Sequence, residues 1–462
     1  MLQHGMVGSS GVDVGDIGHS LRCRRAANAY LSRTFGTPTD QTKWTLSFFV
    51  KRGALSSVGN MALFSAGTSA FYFPLVSTVD SIYYYRSGAN AGASTALFRD
   101  PTSSIHIVIA SDGTSVTVKV NNQLVLTYSG TAPTFNSAVL HTIGAYSSGG
   151  ENLDGYLSRI AFVDGQALTP SSFGYFNTQI NEWVSRSSSS VKAVVDAGGT
   201  NSFMLDFDNG TSLTTLGYDK SSKGNNWTLN NFSLTAGTSY DWMLDVPGNS
   251  YATLNPLKRF PSNFTTWSNG NLQVSENSSS QVTATMTQNI PASDKWYFEC
   301  DMVAVATNGA GAGSNTVGVA PEASVTGTGH IFNTGSYRSG NPILNLAGVA
   351  QTAGATYTSG DVIGVAVDQV AGSVQFYKNG VAQGATPSFT FTPGTQLWPF
   401  VGADNVAGLK TYSMLFGQAP LHASATYDSA SGGYFTYTPP TGFKALCQAN
   451  IATPAILNPA DH

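Results

Sequence analysis

Two carboxylates facing one bond are the usual machinery of glycoside hydrolysis, and on a β-strand they must sit at i and i+2 or i+4 to share a face. The chain has five glutamates: Glu151, Glu182, Glu276, Glu299 and Glu322. Only Glu299 has a second acid at that spacing on a strand pattern, Asp301, within and just after Lys295-Trp296-Tyr297-Phe298-Glu299-Cys300. This pair reads as a solvated strand end rather than as an acid and a nucleophile. Asp206-Phe207-Asp208-Asn209-Gly210 begins like a calcium loop, but the loop's fifth position is Gly210 and its twelfth Gly217, where a ligand and a glutamate are required. It reads as a strand end followed by a turn. Asp112 and Asp154 are further loop carboxylates without a ligand pattern around them. Seven histidines (His4, His19, His106, His141, His330, His422 and His462) show no paired zinc spacing. His106, inside Ile105-His106-Ile107-Val108-Ile109, is expected to be a satisfied core or edge histidine. No serine sits in a nucleophile elbow with an evident acid and base order. Gly309-Ala310-Gly311-Ala312-Gly313 lacks the Lys-Ser/Thr of a phosphate loop and reads as a hairpin tip. No catalytic residue, metal or cofactor is expected.

Contact chemistry remains. In Tyr83-Tyr84-Tyr85-Arg86, alternation exposes Tyr84 if Tyr83 and Tyr85 point inward. Tyr337-Arg338 is expected in a Gly- and Ser-rich loop of the second domain. Tyrosine and arginine bury much area at low entropic cost. Tyr84, Arg86, Tyr337 and Arg338 are therefore the candidate binding residues, to stack on sugar rings or to pack on a neighbouring subunit. Ordinary strand packing and a solvated loop are the competing readings.

The elements that would position them are almost all strands. Trp44-Thr45-Leu46-Ser47-Phe48-Phe49-Val50 and Val116-Thr117-Val118-Lys119-Val120 have strand patterns, and the second turns at Asn121-Asn122 into Leu124-Val125-Leu126. Val374-Gln375-Phe376-Tyr377 meets a two-residue Asn379-Gly380 hairpin, and Trp398-Pro399-Phe400-Val401-Gly402 reads as a buried strand. No capped helix longer than about three turns emerges. Short strands at regular spacing predict sandwiches, so the fold class is all-β with two tandem β-sandwiches. The expected division is an arm at 1–19, a first sandwich at 20–175, a connector packed on it at 176–250, a second sandwich at 251–418 and an extended segment at 419–462. Trp227, Phe232 and Trp242 of the connector need burial.

The composition fits a particle-bound or extracellular β protein. Of 462 residues, 41% are hydrophobic and 11% aromatic, enough for real cores, but only 10% are charged. Ser, Thr, Asn, Gln and Gly must supply the polar surface. The net charge of -4 has no basic stripe, which disfavours nucleic acid. Three cysteines (Cys23, Cys300 and Cys447) lie far apart and read as small buried hydrophobes. Met1 to Gly11 has neither a basic nor an apolar region of a secretory leader, and no stretch approaches the roughly 18 apolar residues of a membrane span. The chain is expected to be made in a cytoplasm and, if it works outside a cell, to leave by lysis or on a particle.

The order Lys295-Trp296-Tyr297-Phe298-Glu299, Val317-Gly318-Val319-Ala320, Gly360-Asp361-Val362-Ile363-Gly364-Val365, Phe376-Tyr377-Lys378-Asn379-Gly380 resembles a SPRY domain. That likeness implies a bent sandwich whose loops hold a protein or peptide. Tyr30-Leu31-Ser32-Arg33, Trp44-Thr45-Leu46-Ser47, Phe64-Ser65-Ala66-Gly67 and Asp154-Gly155-Tyr156-Leu157-Ser158-Arg159 resemble a laminin-G or concanavalin-A-like jelly roll. With Gly224-Asn225-Asn226-Trp227-Thr228 between them and Thr438-Pro439-Pro440-Thr441-Gly442-Phe443 near the end, the arrangement resembles virion proteins of tailed bacteriophages. The resemblance implies a non-enzymatic tail fibre or receptor-binding appendage. Its implied partners are other virion proteins and a host surface glycan or protein, without nucleic acid or membrane insertion. It also implies a homo-oligomer, a trimer as in many fibres. A capsid decoration or head-fibre protein is the alternative, and a glycan-cleaving enzyme of the same fold is the third.

Overall fold

A computed structural model describes residues 16–451 apart from 56–58, 74–79, 148, 179, 259–263, 307–314, 327–330, 332–333, 341 and 405–406. Most of the expected arm and the Gly309–Gly313 tip therefore lie outside the described residues. The described residues divide into two compact units: 16–234 with 241–250, and 235–240 with 251–451.

In the first unit, one sheet runs in the order Gln123–Ser129, Ser115–Val120, Ile105–Asp112, Lys43–Arg52, Gly155–Asp164, Ser20–Cys23, Trp242–Met243, with Phe203–Leu205 also on Gly155–Asp164. The other runs Thr228–Asn230, Tyr30–Thr34, Leu140–Ile143, Met61–Ala66, Ser69–Phe73, Tyr83–Arg86, Ala89–Ala93. The central strands are long runs of aromatic and β-branched residues, which fit a pleated surface buried on its inner face. Between the sheets, Trp44, Phe64, Phe71, Phe135 and Phe162 form a continuous aromatic core. Trp227 and Phe232, at 3% and 5% exposure, join that core. The Asn121-Asn122 hairpin forms, with φ of 46° and 65°, the paired positive values of a two-residue turn that matches strand twist. The longer of two short helices, Ser188–Asp196, starts where the Ser187 side chain accepts the Ser190 N–H; the other is Leu213–Leu216.

Charged groups inside this unit are matched. Asp241, with no exposed surface, accepts from Arg24 Nε at 2.7 Å and lies 3.4 Å from Arg22 Nε. Arg52 meets Asp80 at 2.8 Å, Lys51 meets Asp245 at 2.7 Å and Arg159 meets Asp206 at 2.7 Å. His106 is the satisfied core histidine expected. Trp183 Nε1–H donates to its Nδ1 at 2.8 Å, so the proton sits on Nε2, which faces Ser47 Oγ at 2.8 Å. Burial lowers its pKa to about 3, so the ring is neutral.

In the second unit, one sheet runs Thr266–Ser268, Gln273–Glu276, Lys410–Leu415, Lys295–Ala304, Val362–Asp368, Ser373–Lys378, Val381–Gln383. Phe389–Thr390 pairs with Ser373–Lys378, and Lys444–Ala445 runs parallel to Lys295–Ala304. Facing it is Val282–Thr285, Leu397–Ala403, Asn315–Pro321, Ser336–Arg338, Ile343–Leu344. The Asn379-Gly380 turn forms as expected, with Lys378 opposite Val381 and φ of 50° and 78°. Cys23, Cys300 and Cys447 are buried. Among the described residues no helix is long and apolar enough to cross a membrane.

Candidate functional site

The phase of alternation at Tyr83-Tyr84-Tyr85 is opposite to the one that would expose Tyr84. Phe71 and Phe73 on the neighbouring strand point into the core, and Tyr84 lies directly across from Phe71. Their rings stack at 4.8 Å, and Tyr84 is 1% exposed. Tyr84 therefore has no surface to offer a ligand. Arg86 shares its side of the sheet and donates to Tyr128 Oη at 2.9 Å, its guanidinium 5.6 Å from that ring.

The same alternation turns Tyr83 and Tyr85 outward. Register places Tyr72 opposite Tyr83 and Ala70 opposite Tyr85. Tyr146 arrives from the turn after Leu140–Ile143, which closes by a bridge between Tyr146 and Gly150. Its ring lies 6.0 Å from Tyr72 and 6.3 Å from Tyr85, and Tyr72 lies 6.0 Å from Tyr85. Tyr83, Tyr85 and Tyr146 are partly buried and pack against Tyr72. On the edge strand Ala89–Ala93, the residues directly across from Tyr85 and Tyr83 are Asn90 and Ala93, too small to shade the rings.

Glu151 supplies the patch with fixed polar atoms. Its Oε2 accepts from Tyr72 Oη at 2.7 Å and its Oε1 from Asn60 Nδ2 at 2.6 Å. Burial, then the hydrogen bond to Glu151, pushes the Tyr72 hydroxyl well up, so it remains a donor. Burial and the neighbours Tyr85 and Glu151 raise Tyr146 as well. Aromatic faces beside a fixed carboxylate and amide are the groups that grip a sugar: the rings pack on its apolar C–H face and the polar atoms take its hydroxyls. Sequence reasoning missed Tyr72, Tyr146, Glu151 and Asn60. The signal for Tyr72 was Phe71-Tyr72-Phe73, where two phenylalanines on one face send the tyrosine to the other.

Tyr337-Arg338 lies on the strand Ser336–Arg338 rather than in a loop. Tyr337 has no exposed surface; its hydroxyl donates to the Ala355 carbonyl, and its ring meets Tyr357 edge-on at 5.0 Å. Arg338 is partly buried and reaches Asp404 at 3.1 Å. The two are core and strand-end groups, brought nowhere near an open face together. Glu299 is also not solvated. It has no exposed surface, and its carboxylate accepts from the backbone N–H of Thr436 at 2.7 Å and of Tyr437 at 2.9 Å and from Tyr297 Oη at 3.0 Å. Burial raises its pKa against the pull of those bonds. Its role is to pin residues 436–437 to the sheet.

The start of the calcium-like stretch is likewise taken up by cations: Asp206 binds Arg159, and Lys220 bridges Asp206 and Asp208. Asp208, Asn209, Gly210 and Thr211 line a shallow depression beside Trp242, but His19 stacks on that indole at 3.9 Å.

Residues 26–172 match the family model of the concanavalin A-like lectin/glucanases superfamily, and residues 295–418 match the SPRY domain. No curated protein matches the chain in sequence. Among solved structures, the SPRY domain of human HERC1 aligns at 18% identity over 31% of this chain and 87% of that one, with a TM-score of 0.25. The TRIM65 PSpry domain aligns at 17% identity over 36% and 88%, with a TM-score of 0.25. A putative carbohydrate binding protein from Bacteroides ovatus aligns at 14% identity over 46% of this chain, with a TM-score of 0.33; the alignment spans 58% of that protein. The chain thus carries a concanavalin A-like sandwich followed by a SPRY sandwich.

Proposed function

We propose that this chain is a non-enzymatic adhesion protein that holds carbohydrate on the outer tyrosine face of its concanavalin A-like domain. The observation that carries the reading is the cluster of partly exposed Tyr83, Tyr85 and Tyr146 around Tyr72 and the hydrogen-bonded Glu151. The best-spaced carboxylate in the sequence, Glu299, is consumed in backbone hydrogen bonds, which favours adhesion over hydrolysis. Glu151, held by Tyr72 and Asn60, sets a carboxylate beside the rings, so neutral sugars fit the cluster better than acidic ones. An array of immobilised neutral and acidic glycans tests this. The purified chain is expected to bind neutral hexopyranosides, and retention on acidic glycans alone would contradict the reading.

We further propose that the adhesion serves a bacteriophage particle, as a tail fibre or receptor-binding appendage, with other virion proteins as partners and a homotrimer as its assembly. Support comes from the order of the two sandwiches with their connector and closing segment, and from the weakly charged surface. A head-fibre or capsid decoration role rests on the same features. Antibody labelling of intact particles separates them, since label on the head would refute the tail reading. Deleting residues 1–19 is expected to abolish incorporation while folding is retained; normal incorporation would refute the arm's role.

A further inference from the structure

One buried ion pair of the first unit differs chemically from its neighbours. Arg22, Arg52 and Arg159 meet their aspartates through guanidinium groups, which stay charged and are poor nucleophiles. Lys51 brings a primary amine. Its Nζ lies 2.7 Å from Asp245 Oδ2, and neither side chain has exposed surface. Lys51 stands on the central strand Lys43–Arg52, hydrogen-bonded on both sides to Gly155–Asp164 and Ile105–Asp112. Asp245 follows the edge strand Trp242–Met243 of the same sheet. Tyr156, directly opposite Lys51 and 1% exposed, walls the pair with its ring centroid 5.8 Å from Nζ. An amine and a carboxyl group are thus held in contact, on rigid elements, away from bulk water.

We propose that Lys51 and Asp245 condense spontaneously into an isopeptide bond. A proton passes from the ammonium to the carboxylate across the hydrogen bond. The free amine then attacks Cγ, the N–C bond forms, and the C–O bond breaks. The departing hydroxyl leaves with the second amine proton as water. The net change is ammonium plus carboxylate to amide plus one water, with no oxidant or cofactor. Two driving forces favour it: holding the reactants in one geometry gives a high effective concentration, and a neutral amide replaces two charges whose burial is costly. The bond closes the chain from a central strand to residue 245, a cross-link that restricts the unfolded state as a disulfide does. Lys295–Asp368 and Lys444–Asp294, whose lysines are 39% and 35% exposed, are internal controls: water reaches them, and they stay ionic.

The intact mass of the full chain decides the matter. It is expected about 18 Da below the sequence mass, one water. Trypsin should then release a branched peptide joining residues 44–52 to residues 224–258, because an acylated Lys51 is not cleaved. Recovery of 44–51 and 224–258 as separate peptides from a chain of full mass would overturn the proposal. Lys51→Met and Asp245→Ala should each restore the full mass, and a variant that kept the deficit would also overturn it. The unvaried chain gives the answer even where a variant fails to fold.

Discussion

The outer tyrosines of the first sandwich and the core tyrosines of the second serve opposite ends. In the first, Tyr83, Tyr85 and Tyr146 stand partly exposed on the outside of a sheet. In the second, Tyr297, Tyr337, Tyr357 and Tyr412 are at most 2% exposed, and their hydroxyls hold the core together. Tyr357 donates to the carbonyls of Asn315 and Tyr337 at 2.6 and 3.0 Å, and Tyr412 donates to Asn315 Oδ1 at 2.6 Å. Residue type alone therefore does not mark a binding surface; the face of the strand does. The interiors differ as well. The first unit buries Arg–Asp and Lys–Asp pairs and neutral histidines, whereas the second buries tyrosine hydroxyl networks together with Glu276, Glu299, Asp368 and Lys410.

The contrast is sharpest for the ion pairs. Asp241→Ala leaves Arg22 and Arg24 facing an uncompensated buried site. It is expected to destabilise the first unit by about 3–5 kcal/mol. Hydrogen exchange should speed up in Ser20–Cys23 and its neighbours while Lys295–Ala304 is unaffected; equal acceleration in both would break the distinction.

Acid should separate the units next. His106 has a folded pKa of about 3, below its unfolded value. Its stabilising contribution is complete above pH 6.5 and is lost as pH falls towards 3. At pH 5 the loss is roughly 2 kcal/mol. Burial lowers His141 to about 4, which acts in the same direction. Glu299 and Asp301 are raised by burial, so their contribution is present below the unfolded value and is lost as pH climbs through the folded one. Moving from pH 7 to pH 5 should weaken the first unit and not the second, as read from the slowest-exchanging amides of each. Weakening confined to the second unit would contradict the assignment.

A smaller effect is expected at Glu299. Glu299→Gln turns an amide NH2 towards a backbone N–H of Thr436 or Tyr437, at a cost of about 1–3 kcal/mol. Thermal unfolding of the second unit should shift down, with release of the segment around Phe435; an unchanged midpoint would show that this carboxylate does not pin that segment.

How far these features were legible depends on the distance over which they are decided. Local chemistry read well: the Asn121-Asn122 and Asn379-Gly380 turns, the apolar strands and the core position of His106 follow from a few adjacent residues. The sandwich order was legible because strand motifs recur in sequence. The facing of Tyr83-Tyr84-Tyr85 was not, because three tyrosines in a row fit either phase and the decision comes from Phe71 across the strand pair. Glu299 was misplaced for a related reason: its donors at Thr436 and Tyr437 are remote in sequence and reach it only in the fold. Tyr337 was assigned to a loop because glycines and serines flank it, yet its strand pairs with Asn315–Pro321 and closes the core.

The most direct measurement is titration of the purified chain with a neutral hexopyranoside oligosaccharide, alongside Tyr85→Ala/Tyr146→Ala and Tyr427→Ala. Tyr427 is 53% exposed in the second unit and serves as the control for an exposed tyrosine elsewhere. The outer-face variant should stay folded, since the core on the other face of that sheet is untouched, and lose binding by tenfold or more, about 1.4 kcal/mol, while Tyr427→Ala binds like the parent. Undiminished binding by the Tyr85→Ala/Tyr146→Ala variant would contradict the account.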